Sequence, residues 1–109
     1  MEKEFVAINF IRCEEFYVSR FEELFITRAK AIDRLPGFKR MQVLKPKEVG
    51  DRYLVISWWE SEEHFKNWTR SPEFIEGHKR GFADISQAKA EGRTPPMHSE
   101  FKCYQVLTN

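Results

Sequence analysis

The sequence predicts an α+β fold of the ferredoxin-like, split βαβ kind: one antiparallel sheet of four strands with helices on one face. Three observations predict it. The segments run strand–helix–strand–strand–helix–strand along the chain. The first and third strands are apolar on both faces. The length, 109 residues, suits one domain (1–109) with a core of its own.

The elements follow in order. EFVAINFIR (4–12) is rich in β-branched and aromatic residues and is expected to be a strand. EEFYVSRFEELFITRAKAIDRL (14–35) is expected to be one long amphipathic helix, with Tyr17, Phe21, Leu24, Phe25, Ile32 and Leu35 on its apolar side. Pro36 and Gly37 stop it. FKRMQVLK (38–45) and DRYLVISWW (51–59) are two strands joined by a hairpin loop at PKEVG. Ser61 caps a short helix over 61–70, and Ser71-Pro72 caps and opens another that runs to about Ala90. GRTPPM is a loop, and HSEFKCYQVL (98–107) is the last strand.

In the first strand Phe5, Ala7, Asn9 and Ile11 point one way, and Val6, Ile8 and Phe10 the other. In the third, Tyr53, Val55, Ser57 and Trp59 oppose Leu54, Ile56 and Trp58. Helices cover only one of these faces. An apolar second face in so short a chain calls for a partner, and a second copy of the chain, a homodimer, supplies one.

A net charge of +1, from 18 basic and 17 acidic side chains, gives no electrostatic case for nucleic acid or an anionic membrane. No stretch is apolar over the length a membrane span needs. The opening MEKEFVAINF carries acidic residues and a short apolar run broken by Asn9, unlike a secretory leader, so a cytoplasmic protein is expected. Cys13 and Cys103 lack metal-ligand spacing and are expected to be free thiols.

Chemistry concentrates in PEFIEGHKRGF (72–82). Phe74, Ile75, Phe82 and, beyond, Ile85 form an apolar helical stripe with His78 in its middle and Gly77 and Gly81 beside it. On pattern alone a core histidine with one hydrogen bond is the favoured reading, and a site residue is the alternative. Asn9 is an amide among apolar strand residues. Trp68 and Phe25 have core spacing. His64 and His98 are expected at the surface. Arg28 and Lys30 could face an anionic ligand or solvent. There is no Gly-rich phosphate loop, no GxSxG and no HExxH. One histidine cannot build a zinc site, but it can hold a heme iron, because the porphyrin supplies four nitrogens.

INF in the first strand, RLPGF after the first helix, SWWES at the end of the third strand, then Trp68 and GHKRG, together resemble the IsdG-type heme-degrading monooxygenases of the antibiotic biosynthesis monooxygenase superfamily. The resemblance spans residues from about 5 to 107. It implies a dimeric α+β barrel that binds heme as both substrate and cofactor. It makes His78 the axial iron ligand, places Asn9 on the opposite side of the ring and has Trp68 press on the porphyrin. Phe25 and Arg28 line the pocket, and Gly77 and Gly81 clear space for the macrocycle. Trp58 of SWW faces the dimer side. An external electron donor or reductase and O2 then open the ring, releasing iron and a linear tetrapyrrole. Two alternatives remain open: a cofactor-free monooxygenase of the superfamily acting on a polycyclic aromatic or quinol, and a non-enzymatic heme carrier or sensor.

Overall fold

The computed structural model describes residues 3–28 and 30–109. Four strands, β1 (Phe5–Cys13), β2 (Phe38–Leu44), β3 (Tyr53–Trp59) and β4 (Met97–Gln105), form one sheet in the order β2-β3-β1-β4, with every neighbouring pair antiparallel. The two strands that are apolar on both faces, β1 and β3, are therefore central. The more polar β2 and β4 take the edges, where side chains meet water. Three helices, α1 (Val18–Ile26), α2 (Glu62–Thr69) and α3 (Pro72–Ala90), complete the split βαβ arrangement.

Local chemistry places the helix starts as expected. The Ser61 hydroxyl accepts from the His64 amide, and the Ser71 hydroxyl from the Phe74 amide at 3.2 Å, with Pro72 opening α3. The turn at Pro36-Gly37 needs its glycine twice over. Gly37 has φ +80, and a Cβ there would collide with the His64 ring. His64 is thus half-buried rather than the surface residue its position suggested; its Nδ1 also lies 2.7 Å from the Ser61 hydroxyl. His98 is exposed, beside Glu14 at 3.1 Å.

The first helix departs from expectation. The segment 14–35 is not one helix but a 3-10 turn (Glu15–Tyr17), α1, and a second 3-10 turn (Ala31–Arg34); Ala29 lies outside the described residues. At the break the Thr27 hydroxyl donates back to the Glu23 carbonyl at 2.7 Å, and Lys30 takes the left-handed conformation, φ 57. The Arg80 guanidinium, reaching over from α3, donates to the carbonyls of Leu24 and Thr27 at 3.0 Å each. It thereby satisfies acceptors that a helix end leaves open. The apolar period survives the break, since Tyr17, Phe21 and Ile32 are all buried, and for that reason periodicity conceals it.

The core lies between the helices and the sheet face that carries Phe5, Ala7 and Ile11, in two clusters. One gathers Phe5, Ala7, Ile32, Phe65 and the fully buried Trp59; the other gathers Ile11, Tyr17, Phe21 and Tyr53. On the opposite face Val6, Ile8, Phe10, Leu54, Ile56 and Trp58 form an apolar centre. The Arg40 guanidinium lies 4.1 Å from the Trp58 ring centroid, and that of Arg52 lies 4.6 Å from the Phe10 ring. Among the described residues no helix is long and apolar enough to cross a membrane.

Candidate active site

The gap between the two core clusters is where the sheet presents polar side chains. Asn9 on β1 is paired with Val55 of β3 and Phe101 of β4, and Ala7 beside it is paired with Ser57. Large apolar residues stand on either side of these positions, so small and polar ones between them leave a hollow. The break after α1 borders it, since Phe25 and Arg28 before the break and Ala31 and Ile32 after it all line the hollow. The result is a cavity of about 230 Å³, too large for a packing fault. Asn9, Ser57 and Val55 form its floor. Phe25 of α1 and Arg28 just beyond its end form one wall, Trp68 comes from α2, and Gly77, His78, Gly81 and Phe82 come from α3. All seven candidate residues taken from the sequence (Asn9, Phe25, Arg28, Trp68, Gly77, His78 and Gly81) therefore line one cavity.

His78 is held on α3 between two rings, Phe74 at 4.2 Å and Phe82 at 5.2 Å centroid to centroid, both near-parallel, with Trp68 at 5.8 Å. The spacing i, i+4, i+8 puts the three rings on one stripe. Ile75, expected on this stripe, is 58% exposed and is not among the residues lining the cavity. The Nδ1 atom of His78 lies 2.7 Å from the Phe74 carbonyl oxygen. A carbonyl only accepts, so the neutral ring carries its proton on Nδ1 and keeps its lone pair on Nε2.

Two buried polar atoms here have no hydrogen-bond partner: Asn9 Oδ1 and Trp68 Nε1. Orphans of this kind are uncommon in folded proteins and cost roughly 1–3 kcal/mol each. Ser57, by contrast, is satisfied, accepting from the Trp59 indole at 2.9 Å. The glycines complete the picture. A Cβ at Gly77 or Gly81 would meet nothing within 4 Å. Packing within the chain therefore does not demand glycine at either position, and the space they leave opens to the cavity.

Charge gathers at the cavity's edge. Arg28 pairs with Asp33 at 3.2 Å, and Lys30, Glu73 and Arg80 also line the rim. Behind the wall, Asp84 of α3 accepts from the Tyr17 hydroxyl at 2.5 Å and from Arg20 at 3.0 Å. Burial pushes the Asp84 carboxyl up, but these two donors outweigh it and hold the group below its usual value. Burial, then the Asp84 contact, pushes Tyr17 up. Neither cysteine offers a thiolate. Both are free, and burial together with nearby Glu14 and Glu22 pushes Cys13 up to about 11. Among the described residues no three His, Cys, Asp or Glu side chains come together as a metal site. Arg80 is the residue that sequence reasoning missed. It lies inside the GHKRG motif, but its partners are backbone carbonyls freed by a break that is itself absent from the sequence pattern.

Comparison with known proteins places this geometry. Residues 4–80 match the family model described as antibiotic biosynthesis monooxygenase. The chain is 35% identical over 107 residues to a heme oxygenase (staphylobilin-producing) of Staphylococcus epidermidis, covering 96% of this chain and 95% of that relative. It is 37% identical over 67 residues to a heme oxygenase (mycobilin-producing) of Mycobacterium tuberculosis, covering 62% of this chain. That match spans 64% of the mycobacterial relative's length. Among solved structures, a heme-degrader from Mycobacterium tuberculosis with two hemes bound in its active site superposes with a TM-score of 0.69 at 27% identity, covering 96% of this chain and 97% of that one. A cofactor-independent oxygenase from Streptomyces nogalater gives a TM-score of 0.70 at 20% identity, covering 98% and 96%, a likeness of fold alone.

Proposed function

The chain belongs to the antibiotic biosynthesis monooxygenase family, and we propose that within it this protein is a heme-degrading oxygenase acting at the cavity of Asn9, Trp68 and His78. The observation that carries the proposal is the state of His78. Its Nδ1 is committed to the Phe74 carbonyl, and its Nε2 lone pair is left for a ligand, in a cavity lined by Asn9 and Trp68, each of which carries a buried polar atom without a partner. Relatives named as heme oxygenases at 35% and 37% identity support it.

The residues present suit heme. A single imidazole without a second protein ligand suits an iron whose other nitrogens come from a macrocycle. The open space beside Gly77 and Gly81 suits a flat ring lying along α3. When bound, heme supplies the iron that activates O2 with electrons from an external donor and is itself the substrate, losing its iron as the ring opens to a linear tetrapyrrole. The protein's part is to bind and orient. His78 would hold the iron through Nε2, oriented by its bond to Phe74. Asn9 would offer a hydrogen-bonding amide from the floor. Trp68, backed by Trp59 at 5.5 Å, would press on the bound ring. Phe25 would supply apolar contact and Arg28 a positive charge for an anionic group of the ligand. No side chain acts as a covalent nucleophile.

The working unit is a homodimer in the cytoplasm. The apolar sheet face of Val6, Ile8, Phe10, Leu54, Ile56 and Trp58 supports the dimer, since the chain's own helices pack on the other face.

The test is direct. Heme is added to the purified protein, the visible spectrum is recorded, and ascorbate is then added in air. The expected result is a shifted Soret band that decays with loss of iron. No Soret shift would point to a cofactor-free oxygenase, and a Soret band stable to reductant and O2 to a carrier.

A further inference from the structure

We infer that Arg80 is a positioning residue that sets the separation of the two helical walls of the cavity. Helices α1 and α3 run antiparallel, and two residues of α3, one turn apart, tie them together. Arg80 reaches the C-terminal end of α1, donating to the carbonyls of Leu24 and Thr27 and to the Thr27 hydroxyl, all at 3.0 Å. Asp84 reaches the N-terminal end, accepting from Tyr17 and Arg20. The charges match the α1 dipole, a cation at its C-terminus and an anion toward its N-terminus.

The two ties differ in what they border. Arg80 lies beside Gly81 and two residues after His78, and the carbonyls it holds flank Phe25. Arg80 and Leu24 line the cavity, and Thr27 stands between Phe25 and Arg28, which also line it. It also fills a structural need, because α1 stops at Ile26 without glycine or proline: the Glu23 and Phe25 carbonyls are taken by the Thr27 and Arg28 amides, and Arg80 takes those of Leu24 and Thr27. One side chain therefore terminates α1 and fixes how far Phe25 and Arg28 stand from the α3 turn that carries His78. The ligand-binding consequence rests on the heme reading above; the tie itself does not.

The experiment has two arms. Amide hydrogen exchange of the ligand-free protein, resolved by residue, compares the parent with Arg80→Leu, Arg80→Lys and Thr27→Val. Loss of charge-assisted bonds from Arg80 should speed exchange at Thr27 and Arg28 about tenfold or more, with Arg80→Lys between the two; Thr27→Val, which removes one Arg80 bond of three together with the Thr27 hydroxyl's bond to the Glu23 carbonyl, should change less than Arg80→Leu. Heme titration then follows the Soret band. Arg80→Leu should weaken heme binding about tenfold while leaving the band position that reports His78 ligation unchanged, and Arg80→Lys should recover part of that affinity. Parental exchange at Thr27 and Arg28 in both Arg80 variants overturns the proposal. Faster exchange with unaltered heme affinity overturns it too, since Arg80 is then a helix cap without influence on the cavity. If Arg80→Leu does not fold, Arg80→Lys and Thr27→Val carry both arms. A parent that binds no heme defeats the functional reading instead, and the exchange arm still decides whether the tie exists.

Discussion

His78 Nδ1 sits 2.7 Å from the carbonyl oxygen of Phe74, one helical turn earlier. That carbonyl already lies in the first turn of α3, so the contact adds a side-chain donor to a helical acceptor at no conformational cost to the backbone. It fixes the ring plane between Phe74 and Phe82 and decides which nitrogen carries the proton. One such bond also suits a core histidine; what sets His78 apart is that its ring lines the cavity with Nε2 unpartnered.

Gly77 and Gly81 separate folding from ligand binding. An interior helix glycine costs about 1 kcal/mol relative to alanine, and a Cβ at either position meets no atom of the chain within 4 Å. Gly77→Ala and Gly81→Ala should therefore each raise the stability of the ligand-free protein by up to about 1 kcal/mol in urea denaturation. The same variants should bind heme more weakly, because a methyl forced into a packed contact costs about 1–3 kcal/mol. Stabilised variants with parental heme affinity would show that the ring does not lie along this turn.

Asn9→Ala separates binding from chemistry. Because Asn9 Oδ1 has no partner in the fold, its removal strands nothing, and thermal melting of the ligand-free variant should be at or above that of the parent. The Soret band should remain near the parent's. Heme loss under reductant and air should slow on the order of 100- to 1000-fold, the usual effect of deleting a preorganised hydrogen bond at a reacting centre. A folded, heme-loaded and fully active variant would remove Asn9 from the chemistry.

Trp58 tests the uncovered sheet face. It is half-buried under Arg40 on the side away from the helices, with Val6, Ile8 and Ile56 around it. Trp58→Glu would place a charge in any interface formed there, at a cost of several kcal/mol if it were left unpaired. Light scattering should report the mass of one chain for the variant against two for the parent. An intact dimer in the variant would move the interface elsewhere.

Much of the fold was legible because its causes are local. Ser61, Ser71 and Pro72 mark helix starts by their own hydrogen-bonding or ring geometry, and alternation along β1 and β3 sorts their faces. The break after α1 was not legible, because its cause is distant. Arg80 stabilises the helix end from fifty-odd residues away, and Lys30 takes a left-handed conformation that its side chain does nothing to announce. His64 was misplaced for the same reason, since its burial depends on Gly37 across a turn. Asn9, Trp68 and His78 were picked out through resemblance to a family. Periodicity alone favoured a core role for Trp68 and for His78. What sequence could not supply is the unpartnered state of Asn9 Oδ1 and Trp68 Nε1, which exists only once three elements converge.

The most direct measurement is the heme titration and turnover of His78→Ala beside the parent, with and without added imidazole. With Nε2 as the iron ligand, the variant should lose the parent's Soret position and its turnover under ascorbate and air while retaining weak binding through apolar contacts. Free imidazole, fitting the space the side chain vacates, should restore the Soret position and part of the rate. A variant that degrades heme at the parental rate without imidazole would contradict the assignment and return His78 to the core.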